Sequence, residues 1–461
     1  MRERPAAAGW AALGLCMVWG GSAFAQTDVS LNRAGSGARA AGMGDAFIAV
    51  SDDGTAASWN PAGLAQLRQP EFSLVYGINA RHLSFAGLRS PDERFAYTAH
   101  GAGHPSTSID FASAALPFTI AGKPVTLQAG WHRLYQLTGE LGGRTRRIPL
   151  VDASIPPALI ERDDRLEGDI HVISAAGAVK LTSRAALGAS VNFWRGDWTE
   201  RDDLVEDPGP SGSTAFFNSV SHDRLRGNNA SLGLLLTYPS WNLGLVYHWP
   251  FWSSYRASAE SRSSESPAVS VAFDGARFRF PRSVGLGIAR RLPSRWTIAA
   301  AATHDEWTGA VVDRLPGVPG EINFFDGLPP ELSPTRDTVS VNLGLEHLVV
   351  RDGSVVPLRV GFGWEPQGGM DPTTRDPVDY QLVAAGLGYN TNAFKLDVAV
   401  QLRWSSIQAG EPLSVARLVQ GSGPPDAIGR ADAREWRFKL SVIYRLQDAE
   451  KLRGVLRSIF G

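Results

Sequence analysis

The chain has 461 residues, and its 45 Lys and Arg almost balance its 46 Asp and Glu. A charge this close to zero offers no electrostatic grip on nucleic acid or an acidic surface, so no nucleic-acid partner is expected. The one cysteine, Cys16, excludes an internal disulfide framework.

Residues 1–25 have the layout of a secretory signal peptide. Arg2 and Arg4 give a basic start, Ala11 to Trp19 an apolar run, and Ala23-Phe24-Ala25 a small-x-small cleavage pattern. That run is far shorter than the roughly 20 residues needed to cross a hydrocarbon core. Cleavage before Gln26 is expected, and Cys16 leaves with the signal. Leu15 stands where a lipidated cysteine would need a small residue, so no lipid anchor is expected.

Residues 26–68 are small, polar and turn-rich without strand alternation. Asp52, Asp53 and Gly54 suit a turn. Pro61 confines Asn60 to extended conformations.

From 69 to 447 the dominant signal is a period of two. Phe394, Leu396, Val398, Val400, Leu402 and Trp404 share one face; Lys395, Asp397, Gln401 and Arg403 share the other. Such alternation marks a half-buried strand. Fourteen segments of this kind begin near residues 71, 107, 124, 168, 184, 227, 241, 276, 295, 336, 355, 379, 393 and 434. The connections alternate between short turns such as "YPSW" and "YNTNA" and long polar stretches such as 139–167 and 199–226. This rhythm predicts an all-β fold: a transmembrane antiparallel β-barrel of about 14 strands with both ends in the periplasm. Trp249, Trp364, Trp404, Tyr389 and Tyr444 end apolar faces, as at membrane interfaces. The opposite faces make Asn242, His248, Asn342, Glu346, Arg359, Lys395, Asp397, Gln401 and Arg403 lumen-facing. In the tail, 448–461, Leu452, Val455, Leu456 and Ile459 recur at helical spacing and predict a short amphipathic periplasmic helix.

A barrel this wide is not filled by its own side chains, so residues 26–68 are expected to fold into it as a plug. The stretch "GARAAGMGDAFIAVSDDGTAASWNPAGLA" resembles the N-terminal hatch of the FadL/TodX family of outer-membrane transporters for hydrophobic compounds. The matching residues are Gly42, Gly44 and Asp45 in the Gly-Met-Gly-Asp run, Asp52 and Asp53, and Asn60, Pro61, Ala62 and Gly63. The segment 280–309, with Pro281, Trp296 and Trp307, resembles that family's mid-barrel hairpin. The resemblance implies uptake of hydrophobic small molecules such as long-chain fatty acids or hydrocarbons, with hatch movement linking binding sites to a lateral opening. It also implies outer-membrane lipids and the barrel assembly machinery as partners, and a monomer. Similar hatch sequences occur in barrels resembling secretion-system shuttle proteins, which hold a protein client, and this alternative stays open.

The acidic stretches "ERDDRLEGD" (161–169) and "ERDDLVEDPG" (200–209) interleave basic residues and suit solvated outer loops better than calcium sites. No histidine pair has metal-ligand spacing. No nucleophile elbow or phosphate loop occurs. Neither an enzyme, a metal nor a cofactor is expected.

Overall fold

The computed structural model describes residue 32 and residues 35–447, apart from 91, 99–104, 138, 152, 153, 155, 156, 210, 211, 265, 372 and 412–426. The signal peptide and the tail helix expected at 448–461 lie outside the described residues. Ahead of the first strand come a one-turn helix, α1 (Ala38–Gly42), and two 3-10 turns, Ala56–Ser58 and Pro61–Gln66.

The strands are β1 (Glu71–Arg89), β2 (Phe95–Thr98), β3 (Pro105–Ile120), β4 (Lys123–Gln136), β5 (Gly139–Pro149), β6 (Ala158–Lys180) and β7 (Ala185–Asp207). Next are β8 (Ala215–Thr237), β9 (Trp241–His248), β10 (Phe251–Ser263), β11 (Val269–Phe280), β12 (Ser283–Arg291) and β13 (Trp296–Asp305). The rest are β14 (Val311–Asp313), β15 (Ile322–Asn323), β16 (Thr338–Arg351), β17 (Ser354–Met370), β18 (Pro377–Asn390), β19 (Phe394–Glu411) and β20 (Ala427–Arg445).

Fourteen of them close a ring: β1, β3, β4, β6, β7, β8, β9, β12, β13, β16, β17, β18, β19 and β20, every neighbouring pair antiparallel. β20 then pairs with β1 from Arg445 against Glu71 to Ile428 against Arg89. Closure removes the free edges an open sheet would expose to lipid.

Two ring strands break and resume. β9 continues as β10 past Trp249-Pro250, and β12 continues upward as β11 past Pro281-Arg282. A proline has no N–H to give the ladder and so marks each break. β13, the strand expected to begin near 295, stops at Asp305, and a 3-10 turn follows at Trp307–Gly309. The following segment covers the wall there: β14 pairs with β11, and Trp307 packs over Gly368.

The outer face is apolar over the span of a bilayer. Leu187, Val191 and Phe193 on β7 and Leu396 and Val398 on β19 are exposed. Trp249, Trp364, Tyr389 and Tyr444 are exposed at the ends of such faces, and Trp404 is partly exposed. Above this band the outward positions turn charged, as with the exposed pairs Arg224–Asp197 and Arg165–Asp163.

The strands nonetheless continue. Stretches expected as long loops are largely ladder: β5 and the start of β6 occupy 139–149 and 158–167, and β7 and β8 occupy 199–207 and 215–226. Hydrophobic alternation marks only the part of a strand that faces lipid. Above it both faces carry polar residues, and the ladder hydrogen bonds persist without that signature. The two acidic stretches are therefore strands, not solvated loops, and they pair with each other.

Val398 is 44 % exposed in mid-β19. Val398→Arg should lower barrel stability by about 2–4 kcal/mol in bilayers, and Val398→Leu should not. Equilibrium unfolding from phospholipid vesicles measures this, and equal stabilities would refute the assignment of faces.

Candidate functional site

Residues 35–67 sit inside the ring. Asn60 is the knot of this inner segment. Its backbone is extended, with φ −150°, its Oδ1 accepts from Ala62 N–H at 3.1 Å, and Pro61 opens the 3-10 turn. A proline is tolerated there because the first N–H groups of a turn lack internal partners. The Asn60 amide nitrogen donates to Ile48 O at 3.2 Å and to Leu234 O on the wall at 3.1 Å. Trp59 ties the two ends of the segment together, its indole N–H donating to Ser36 O at 2.8 Å. Gly44 and Asp45 are both left-handed, φ 59° and 66°, and reverse the chain after α1.

The wall meets this backbone in two ways. On one side the inward positions are glycines. A Cβ on Gly188 would lie 2.3 Å from Pro61 C, one on Gly244 2.6 Å from Ile48 O, one on Gly344 2.6 Å from Met43 O, and one on Gly361 2.1 Å from Gly44 N. Gly42 lies against Gly386 in the same way, and Gly63 against Ser51. Elsewhere, inward polar side chains bond the inner segment. Asn342 donates to Gly44 O at 2.8 Å, Asn242 to Ala49 O at 3.0 Å, and Gln401 to Ala41 O at 3.0 Å. Gln128 and Ser113 both donate to Gly54 O, while Gly54 N–H donates to Glu71.

Charges complete the attachment. Arg39 of α1 pairs with Asp52 at 2.5 Å and with Glu346 at 3.0 Å. Glu346 is shared with Arg359 at 2.7 Å, and Arg359 also reaches Asp397 at 2.7 Å. Lys395 lies 3.9 Å from Asp53. Higher up, Arg403 bridges Glu365 and Glu435 and stacks over Tyr380. Removing one member of such a buried set strands an uncompensated charge.

Of the nine positions expected to face the lumen, eight are buried, and the partly buried His248 lies 2.7 Å from Ser231 Oγ. Pro61, Ala62 and Gly63 are buried in the 3-10 turn, and Asp53 caps its own loop by accepting from Thr55. Arg39, Glu71 and the inward glycines were missed from sequence. Glycine recurring at inward positions of successive strands was the available signal.

Above the inner segment the lumen is not uniformly polar. Trp194, Phe251 and Phe280 pack with ring centroids 4.8 to 4.9 Å apart, next to Trp198, Tyr255 and Phe278. These are inward positions of β7, β10 and β11. Beside this aromatic cluster a cavity of about 1250 Å³, including its open mouth, is floored by Ser36 and Trp59 and ringed by Asp110, Arg133, Glu365 and Glu435.

Higher still, the two acidic strands place like charges opposite each other: Asp164 against Asp202, Asp163 against Asp203 and Arg165 against Arg201. Burial, with Asp202 and Asp223 nearby, pushes the Glu200 carboxyl well above its usual range, and burial raises Asp202 too. Burial raises Asp223 to about 6, although Tyr255 and Ser221 donate to it.

Among the described residues one group brings three metal-type donors together. His304, Glu306 and Asp337 have ligand atoms within 4.8 Å of one another. Their carboxylates already have protein partners: Arg282 pairs with Glu306, and Thr308 donates twice to Asp337. Asp337 is remote in sequence, so spacing alone could not have shown this group.

No family model matches the sequence, and no curated protein matches it. Solved structures do match. A FadL homologue from Pseudomonas aeruginosa is 15 % identical with TM-score 0.61, covering 89 % of this chain and 98 % of its own. The P. putida toluene transporter TodX is 14 % identical with TM-score 0.60, covering 90 % and 100 %. The Ralstonia pickettii toluene transporter TbuX is 14 % identical with TM-score 0.56, covering 91 % and 100 %. The chain has the FadL/TodX barrel fold.

Two outcomes follow from this geometry. Gly361→Val places a side chain where Gly44 N now sits, so it should displace the inner segment while the ring still forms. Planar-bilayer conductance should rise well above wild type, with heat-modifiable gel migration unchanged; wild-type conductance would contradict the packing. For Asp223, a folded pKa above the unfolded value means folding is penalised once the group must ionise. Stability should fall as pH rises from about 4 to about 6, by at most about 3 kcal/mol for this group. Asp223→Asn should flatten that part of the unfolding profile.

Proposed function

We propose that the protein is an outer-membrane channel that takes up hydrophobic small molecules, such as long-chain fatty acids or hydrocarbons. Residues 26–68 serve as its plug, 69–447 as the barrel and 448–461 as a periplasmic tail. The single observation that carries this reading is the aromatic cluster packed inside the outer lumen. A water-filled pore keeps its interior polar, whereas Trp194, Phe251 and Phe280 on inward positions pack on one another into a buried apolar core within this barrel. Lipopolysaccharide slows hydrophobes crossing the outer leaflet, so a channel of this kind needs no catalytic group.

The fold likeness supports the reading, since the similar structures are named as toluene transporters and a FadL homologue. The plug backbone makes the barrier, and wall side chains hold it in place. Gln401 and Asn342 hold its backbone, and the set Arg39, Glu346, Arg359 and Asp397 holds its charge. Gly42, Gly44, Asp45, Asp52, Asp53, Asn60, Pro61, Ala62 and Gly63 belong to this plug. Passage then requires a local rearrangement of the segment and not its expulsion. The channel acts as a monomer in outer-membrane lipid, inserted by the barrel assembly machinery, without cofactor or enzymatic step.

Cells lacking the protein should take up a labelled long-chain fatty acid or hydrocarbon several-fold more slowly. Expression of the wild-type chain should restore the rate. Normal uptake in the deletion strain, with a secreted protein co-purifying with the barrel, would decide for a protein client instead.

A further inference from the structure

The cavity beside the aromatic cluster has a chemistry that plain hydrocarbon cargo does not call for. Its cations already have partners. Arg81 and Arg437 pair with Glu435 at 3.1 and 3.0 Å, and Arg133 and Lys439 pair with Asp110 at 2.5 and 3.9 Å. Asp45, Asp305 and Glu365 also line it, and Glu365 is paired with Arg403 at 2.8 Å.

Neutral polar atoms at the same cavity are differently placed. The hydroxyls of Ser36 and Ser283 are buried, at 1 % and 3 % residue exposure, and find no hydrogen-bond partner among the described residues. The Asn32 carbonyl oxygen is likewise unpartnered, although its amide nitrogen donates to Pro366 O at 3.0 Å. All three residues line the cavity. An unmet buried polar group is costly, and a ligand that meets it recovers that cost. Tyr135, a member of the aromatic cluster, and Leu134, which packs against it, line the cavity and give it an apolar edge.

We infer that this site takes an amphiphile with an uncharged, hydroxyl-bearing head, its head among Ser36, Ser283 and Asn32 and its apolar body against Leu134 and Tyr135 at the edge of the aromatic cluster. A hydroxyl both donates and accepts, which matches two serine hydroxyls and a carbonyl oxygen. A carboxylate head can only accept, so it leaves the Asn32 carbonyl oxygen unmet, and it brings a negative charge to a cavity whose cations are already paired. An alkane leaves every one of these groups unmet. An ammonium head donates but cannot accept. This inference rests on the proposed uptake of hydrophobic molecules and narrows its cargo.

The test is a competition. The full-length barrel is incubated with equimolar 1-decanol, decanoate, decylamine and decane, and retained adducts are counted by native mass spectrometry. Decanol should exceed each competitor by roughly fivefold or more, the scale of one or two net hydrogen bonds. The double variant Ser36→Ala, Ser283→Ala should bring decanol down to the level of decane, with heat-modifiable migration showing that the barrel is folded. Each single variant should lie between. Retention of decanoate, decylamine or decane at the level of decanol overturns the inference and leaves hydrophobic uptake standing. An unchanged decanol preference in the folded double variant does the same. Retention of none of the four overturns both.

Discussion

From Glu71 against Arg445 to Arg89 against Ile428, the first and last strands of the ring run side by side, and this seam supports everything inside it. An open sheet would expose a row of unpaired N–H and C=O groups to hydrocarbon, at several kcal/mol for each group. Closing it fixes two faces for every strand. The same seam reaches the interior, because Glu71 pairs with Arg445 at 2.9 Å and also accepts from Gly54 N–H. One carboxylate thus joins the last strand, the first strand and the inner segment.

Inside a closed ring a second backbone can be held only where the wall lets it come close. Glycines do this from β7 to β18. Gly188 stands opposite Gly233, Gly244 opposite Gly287, and Gly344 opposite Gly361, so the clearances fall on cross-strand pairs. Where the wall is not glycine it offers amides and hydroxyls, and the inner segment's carbonyls find donors in Asn342, Asn242, Gln401 and Gln128. A buried irregular segment is stable only if such an accounting closes. The ion pairs around Arg39 add specificity of placement more than net stability, since burying charges offsets much of their attraction.

The part of this architecture legible in the sequence was the part that faces lipid. Val398 and Gln401 sit on opposite faces of β19, and alternation alone separated them, because one environment is hydrocarbon and the other is polar. The same logic failed above the bilayer. Asp163 points out and Asp164 points in, but both are acidic, so no period of two appears and the strand reads as loop. Residues that come together from distant strands were also invisible. Arg39 meets Glu346 across 307 positions of sequence, and only the ring brings them within reach. The hatch resemblance found the inner segment through local turn chemistry at Gly44, Asp45 and Asn60-Pro61, the features that do not depend on distant partners.

The two ends of the lumen are built on different electrostatic terms. Around the inner segment opposite charges pair: Arg39 with Asp52 and Glu346, Arg359 with Glu346 and Asp397, Lys395 with Asp53. In the outer collar Arg162 pairs with Asp164 and Arg147 with Glu206, while Asp164 also faces Asp202 across the ladder with Glu200 and Asp223 close by, and like charges opposed in this way weaken a strand pair. The collar is held by its ladder, by those pairs and by the aromatic packing beneath it. On the proposed uptake route, cargo from outside meets the collar first, then the aromatic cluster, and the well-paired inner segment last.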